Sequence, residues 1–136
     1  MVRLAVLSCL TLTLLAGCAT TDTSTYGGGE HYGDYAQGSN HPAVITLFQQ
    51  ADMAGQGGNW AAAMTYLDQA RRIEPRNPYV LYRQAWVSYQ SGDTERARQL
   101  LERARVYADP EDDLLAYRLY ELSYQLDPDA AQPVRK

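Results

Sequence analysis

Lysine, histidine and cysteine are nearly missing from this chain. Its one lysine is Lys136, the last of 136 residues; its histidines are His31 and His41, and its cysteines are Cys9 and Cys18. Beyond His41 there is neither a thiol nor an imidazole. Nucleophilic catalysis with a matched base, and zinc or haem ligation, draw on those groups. The later part of the chain is therefore expected to be non-enzymatic and to hold no metal or cofactor. Gly27-Gly28-Gly29 is not followed by Lys-Ser/Thr and follows no strand, so it is no phosphate cradle. No apolar run reaches the roughly 20 residues of a membrane-spanning helix. The formal charge is −4, which argues against nucleic acid as a partner.

The start of the chain is different in character. A single charge at Arg3 precedes a stretch of Leu, Val, Ala, Ser and Thr from Leu4 to Leu15, the length of a signal-peptide core. It ends on Leu15-Ala16-Gly17-Cys18. That run resembles a bacterial lipobox. The resemblance implies that residues 1–17 are a signal peptide that is cut away and that Cys18 becomes the lipidated first residue. The residue after it is Ala19, not Asp, which in such lipoproteins favours the outer membrane over the inner one. A plain secretory signal is the rival reading. Several acyl chains together anchor strongly, since each buried CH₂ contributes about 0.8 kcal/mol. Loss of Arg3 with the signal leaves 11 basic and 16 acidic side chains, so 11 − 16 gives −5 for the mature chain. With Cys18 acylated no thiol remains for a disulfide, so stability must come from packing.

Residues 18–42 read as the lipidated cysteine and a disordered tether of Thr, Ser, Gly, Asn, Gln and Asp, without helical or strand periodicity. Such a coil spans roughly 25 Å on average. Tyr26, Tyr32 and Tyr35 interrupt it, either as part of an ordinary tether or as a docking segment. From Ala43 the composition turns to Ala, Leu, Arg, Gln, Glu and Tyr, which suits helices. His41-Pro42, Asn77-Pro78 and Asp109-Pro110 each put Pro at an expected first helical position, with Asn77 and Asp109 as N-caps. Gly57-Gly58-Asn59 and Ser91-Gly92-Asp93 end one helix and cap the next. Five antiparallel helices are predicted, over 43–55, 60–73, 78–90, 94–107 and 110–126, in a domain of residues 43–127 followed by a tail of residues 128–136. The acids Glu111, Asp112 and Asp113 read better as first-turn residues favoured by the helix dipole than as a carboxylate pair for glycan chemistry.

The helices repeat. Leu47, Ala51, Gly58, Ala63, Leu67 and Ala70 recur 34 residues later as Leu81, Ala85, Gly92, Ala97, Leu101 and Ala104. This spacing resembles the tetratricopeptide repeat, a helix–turn–helix unit. The first unit, Gly58-Asn59-Trp60 … Ala63 … Leu67 … Ala70 … Pro75, follows the family pattern closely. Ala54 and Ser88 depart from it, standing where the family prefers Tyr. Asp109 stands where the second unit should end in Pro, with Pro110 one residue late. The resemblance implies an all-α solenoid of two helical hairpins plus a C-terminal capping helix.

On a wheel of about 100° per residue, Leu81, Ala85 and Ser88 face the core, and Tyr79, Tyr82, Trp86 and Tyr89 form a second stripe. In the last helix Leu115, Leu119, Leu122 and Leu126 face the core, with Tyr117, Tyr120 and Tyr124 almost opposite. At the 34-residue offset Arg83 corresponds to Tyr117, Trp86 to Tyr120 and Gln90 to Tyr124. In tetratricopeptide proteins this face lines a concave groove that commonly receives a peptide. The resemblance therefore implies an aromatic groove of Phe48, Tyr79, Tyr82, Trp86, Tyr89, Tyr117, Tyr120 and Tyr124, with Arg83 and Asp52 as polar fixtures. Several of these aromatics are expected to pack between helices instead. The groove lacks the Lys and Asn residues by which chaperone-binding members clamp a C-terminal carboxylate, so an extended, apolar or Pro-containing segment of an envelope protein fits better. The expected function is a non-catalytic protein-interaction adaptor, lipid-anchored at the periplasmic face of the outer membrane. It resembles the repeat lipoproteins that help assemble pili and secretins or organise peptidoglycan enzymes. The alternative is a structural lipoprotein that homodimerises through its aromatic face.

Overall fold

The computed structural model describes residues 38–129, and Cys18, the lipobox and most of the tether lie outside them. The described residues form five helices and no strand: α1 Pro42–Gln56, α2 Trp60–Ile73, α3 Pro78–Gln90, α4 Thr94–Tyr107 and α5 Asp113–Leu126. None of them is long and apolar enough to cross a membrane.

Local chemistry sets most boundaries. Asn59 and Asp93 cap α2 and α4, their side chains accepting from Ala62 N and Arg96 N at 3.1 Å each. Asn77 accepts from Tyr79 N at 2.8 Å and Val80 N at 3.3 Å, with Pro78 in the first turn of α3. These bonds satisfy amide groups that a helix start leaves without partners. Gly58 and Gly92 turn the chain at φ 71° and 86°. A Cβ at either would meet nothing, so the requirement is for the left-handed backbone and not for space.

One predicted boundary is corrected. The last helix begins at Asp113, not at residue 110. Asp109 does not cap it. Asp109 Oδ1 accepts from Glu111 N at 2.9 Å, and Asp112 N bonds to Asp109 O at 3.1 Å. These bonds close a turn around Pro110. Asp112 is the cap, accepting from Leu115 N at 3.0 Å.

The helices stack as paired hairpins, α1 with α2 and α3 with α4, and α5 closes on α3 and α4. Alanines allow the close approach: Ala51, Ala63, Ala70, Ala85, Ala97 and Ala104 are all buried. Two apolar clusters result. One joins Val44, Phe48, Leu67 and their alanine neighbours to Val80 and Val87 of α3. The other joins Leu81, Tyr82, Leu100 and Leu101 to Leu115, Leu119 and Leu122 of α5. The central helix α3 therefore serves both, which is why eight of its residues are buried.

The late start of α5 changes its register. The caps Asn77 and Asp112 are 35 residues apart, not 34. Burial follows the same offset: Val80, Arg83, Gln84 and Val87 of α3 are buried toward the preceding hairpin, as are Leu115, Arg118, Leu119 and Leu122 of α5. The correspondences Arg83/Tyr117, Trp86/Tyr120 and Gln90/Tyr124 are thus replaced by Tyr82/Tyr117, Arg83/Arg118, Ala85/Tyr120 and Tyr89/Tyr124. The extra residue sits in the α4–α5 connection, where Pro110 falls one place late.

Candidate functional site

The aromatic residues picked out by the wheel divide into two sets. Phe48 is fully buried, and Tyr82 is only 3% exposed. Arg83 and Asp52 are buried as well. These four do not line an open groove, and the reason is how neighbouring first helices meet. The guanidinium carbon of Arg83 on α3 lies 4.4 Å from the centroid of the Phe48 ring on α1, a cation–π contact removed from water. Asp52 lies one turn along α1 from Phe48 and accepts from Gln56 Nε2 at 2.9 Å. Tyr82, the repeat counterpart of Phe48, packs among the α5 leucines. Burial pushes its hydroxyl up from the ordinary 10.0 to about 12, with Glu121 raising it further and Arg118 and Arg83 opposing. Arg118, the counterpart of Arg83, is itself buried.

Tyr79, Trp86 and Tyr89 are half-buried against the second cluster. Trp86 also meets Trp60 of α2, ring centroids 5.9 Å apart and tilted 54°. Trp60 in turn lies under Gly55, where a Cβ would come within 3.1 Å of its ring. Gln84 is a buried polar link between the hairpins, donating to Asp68 at 2.6 Å.

The exposed set belongs to α5. Tyr117, Tyr120 and Tyr124 show 56%, 52% and 49% of their surface, and Leu114 at the helix start is also exposed. Spaced three and four residues apart, the tyrosines form one stripe on the side opposite Leu115, Arg118, Leu119 and Leu122. Tyr120 also lines a cleft of about 370 Å³ between α4 and α5, with Arg98, Leu101, Glu102, Arg105 and Leu126. Asp113 and Glu121 lie beside the stripe, whereas the only basic residue of α5, Arg118, faces inward.

A second feature was not legible in the sequence. The chain enters the domain through a cleft where residues 38–40 meet the α2–α3 and α4–α5 connections. Ser39 Oγ donates to Glu74 Oε1 at 3.0 Å, and Asn77 Nδ2 donates to Glu74 Oε2 at 2.6 Å and to the Gly38 carbonyl. Gly38 has φ 100°, and a Cβ there would collide with the Tyr79 ring. The Tyr79 hydroxyl donates to Asp112 Oδ2 at 2.7 Å. Burial, then the bond and the charge of Asp112, push it to about 12. Two of the three acids singled out near residue 112 are thus placed: Asp112 as cap and tyrosine acceptor, Asp113 in the first turn. Only the glycine hints at this clamp from sequence, because Gly38 and Ser39 meet partners 35 or more residues away.

Paired antiparallel helices stacked through alanine contacts, with a left-handed glycine at the turn of each of the two hairpins, define a helical-repeat protein of the interaction type. The chain belongs to the tetratricopeptide repeat family. The family pattern described as "Tetratricopeptide repeat" matches residues 56–120. Among solved structures the chain is similar to the globular C-terminal domain of LpoP from P. aeruginosa, at 30% identity and a TM-score of 0.62. The match covers 71% of this chain and 90% of that one. No curated protein matches.

Proposed function

We propose that this protein is a lipid-anchored adaptor of the bacterial envelope, held by Cys18 at the periplasmic face of the outer membrane, which binds a segment of another envelope protein and catalyses nothing. The observation that carries this reading is the exposed tyrosine stripe of α5, the last helix of the described residues. Tyrosines present large contact area with few rotors to freeze, and exposed clusters of them mark interaction sites. The LpoP domain supports the repeat architecture, and the lipobox supports the address.

Two experiments test the two halves. For binding, the protein carrying Tyr117→Ala, Tyr120→Ala and Tyr124→Ala is compared with wild type as bait in envelope extracts, with pilus, secretin and peptidoglycan-enzyme components as candidate prey. The triple variant is expected to fold normally, since these side chains are exposed, and to lose its specific partner. Equal recovery by both baits would remove the stripe as the binding site. For the anchor, Cys18→Ser is expected to abolish lipid labelling and to move the protein from the membrane to the soluble or unprocessed fraction. A Cys18→Ser protein that is processed and fractionates like wild type would show the lipobox reading to be wrong.

A further inference from the structure

The way this chain packs one first helix on the next contains a motif that it uses twice. Toward the preceding hairpin α3 presents Val80, Arg83, Gln84 and Val87, and α5 presents Leu115, Arg118, Leu119 and Leu122. Both follow one pattern: apolar at i, arginine at i+3, a further buried residue at i+4, apolar at i+7, which is one face of two helical turns. The receiving aromatic is Phe48 for Arg83, at 4.4 Å from its ring centroid. Its counterpart 34 residues on is Tyr82, in the same cluster as the α5 leucines. The next aromatic in this series is Tyr117. Phe48 and Tyr82 are 0% and 3% exposed, whereas Tyr117 on the last described helix is 56% exposed.

We propose that the α5 face around Tyr117 and Tyr124 receives an amphipathic helix of a partner protein that supplies a third copy of this pattern. Its arginine would lie against the Tyr117 ring and its apolar residues along the stripe. The charges agree. Asp113 is exposed near Tyr117 and the single arginine of α5 faces the other way, while Arg98 and Arg105 of α4 lie on the Tyr120 side, so it is the Tyr117 end of the stripe that favours a cation. A second copy of this chain does not fit. The corresponding outward residues of α1 are Thr46, Gln49, Gln50 and Met53, which offer no cation. A second α5 face would bring Asp113 and Glu121 against their like. The inference rests on the adaptor reading above and narrows it to the chemistry of the partner.

The test uses the full-length protein purified in mild detergent and a fluorescein-labelled helical peptide of alanine and lysine carrying Val, Arg, Gln and Val at i, i+3, i+4 and i+7. A second peptide has Gln in place of the Arg. Fluorescence anisotropy is expected to show saturable binding of the first peptide, with affinity about tenfold lower for the Gln peptide and for the Tyr117→Ala protein. Binding should weaken with salt, because Asp113 is solvent-exposed. Equal binding of the two peptides, or indifference to Tyr117→Ala, would overturn the proposal, as would no binding at all. If the pull-down still depends on the tyrosines after such a result, the adaptor reading stands and only the helical, arginine-bearing partner is discarded.

Discussion

Arg83 and Arg118 are the residues whose roles are furthest from their usual ones. An arginine in a helical repeat is ordinarily a solvated side chain, yet both are buried. Each carries an aliphatic stem that covers apolar surface and a planar head that can lie on a ring. Truncating Arg83 would remove the contact over Phe48 and leave a void between α1 and α3. Arg83→Ala is expected to cost about 2–3 kcal/mol in urea unfolding, and Arg83→Met, which keeps the stem, distinctly less. A variant within about 0.5 kcal/mol of wild type would show that this contact contributes little. Tyr82 gives a second test. Its hydroxyl is raised to about 12 in the folded domain, so the folded state holds the proton more tightly than the unfolded chain, where tyrosine ionises near 10. Stability is therefore intact below pH 10 and falls as pH rises toward about 12, with Tyr79 adding in the same direction. Between about pH 9 and about pH 11, wild type should lose more stability than Tyr82→Phe. Equal losses would show that this hydroxyl does not ionise on unfolding.

At the scale of the element, α5 holds most of the interest. Its start is fixed by Asp112, which caps Leu115 N and accepts from Tyr79 of α3. One side chain thus sets a helix boundary and ties that boundary to its neighbour. Asp112→Ala is expected to lower stability by about 1–2 kcal/mol, with Asp112→Asn recovering most of the cap. Thermal unfolding monitored by circular dichroism reads both; an unchanged Asp112→Ala would shift the boundary to another cap. The other four helices were legible to within a residue or two because their start signals are local: Pro42 for α1, and the caps Asn59, Asn77 and Asp93, two of them preceded by glycines, for α2, α3 and α4. Asp109-Pro110 had the same local appearance but forms a turn, because Asp112, three residues on, is a second acceptor that places Leu115 inward. Local pattern points to Asp109 as the start. The packing of Leu115, Leu119 and Leu122 on α3 and α4 favours Asp112 instead.

For the molecule as a whole, the stack of described helices has one closed middle and two unlike ends. The α1 end is polar, with Thr46, Gln49 and Gln50 outward. The α5 end is aromatic, with Asp113 near Tyr117 and Arg98 and Arg105 of α4 across the cleft from Tyr120. The described chain enters the domain at the loop cleft of Gly38 and Ser39. Under the proposed function the anchor and binding tests have separate targets, Cys18 and the α5 tyrosines.

Residue pattern alone specifies the repeat, the helix order, the alanine contacts and the glycine turns, because these depend on neighbours within one 34-residue unit. It also placed Tyr117, Tyr120 and Tyr124 opposite the core, since a single helix wheel decides that. Which of the other aromatics stay open was decided by tertiary structure. Phe48 and Tyr82 stand on the same kind of stripe as Tyr117, and each is enclosed because another first helix stacks on it. Burial of that kind depends on what lies across the interface, dozens of residues away, and on a one-residue shift in the α4–α5 connection that no single wheel contains.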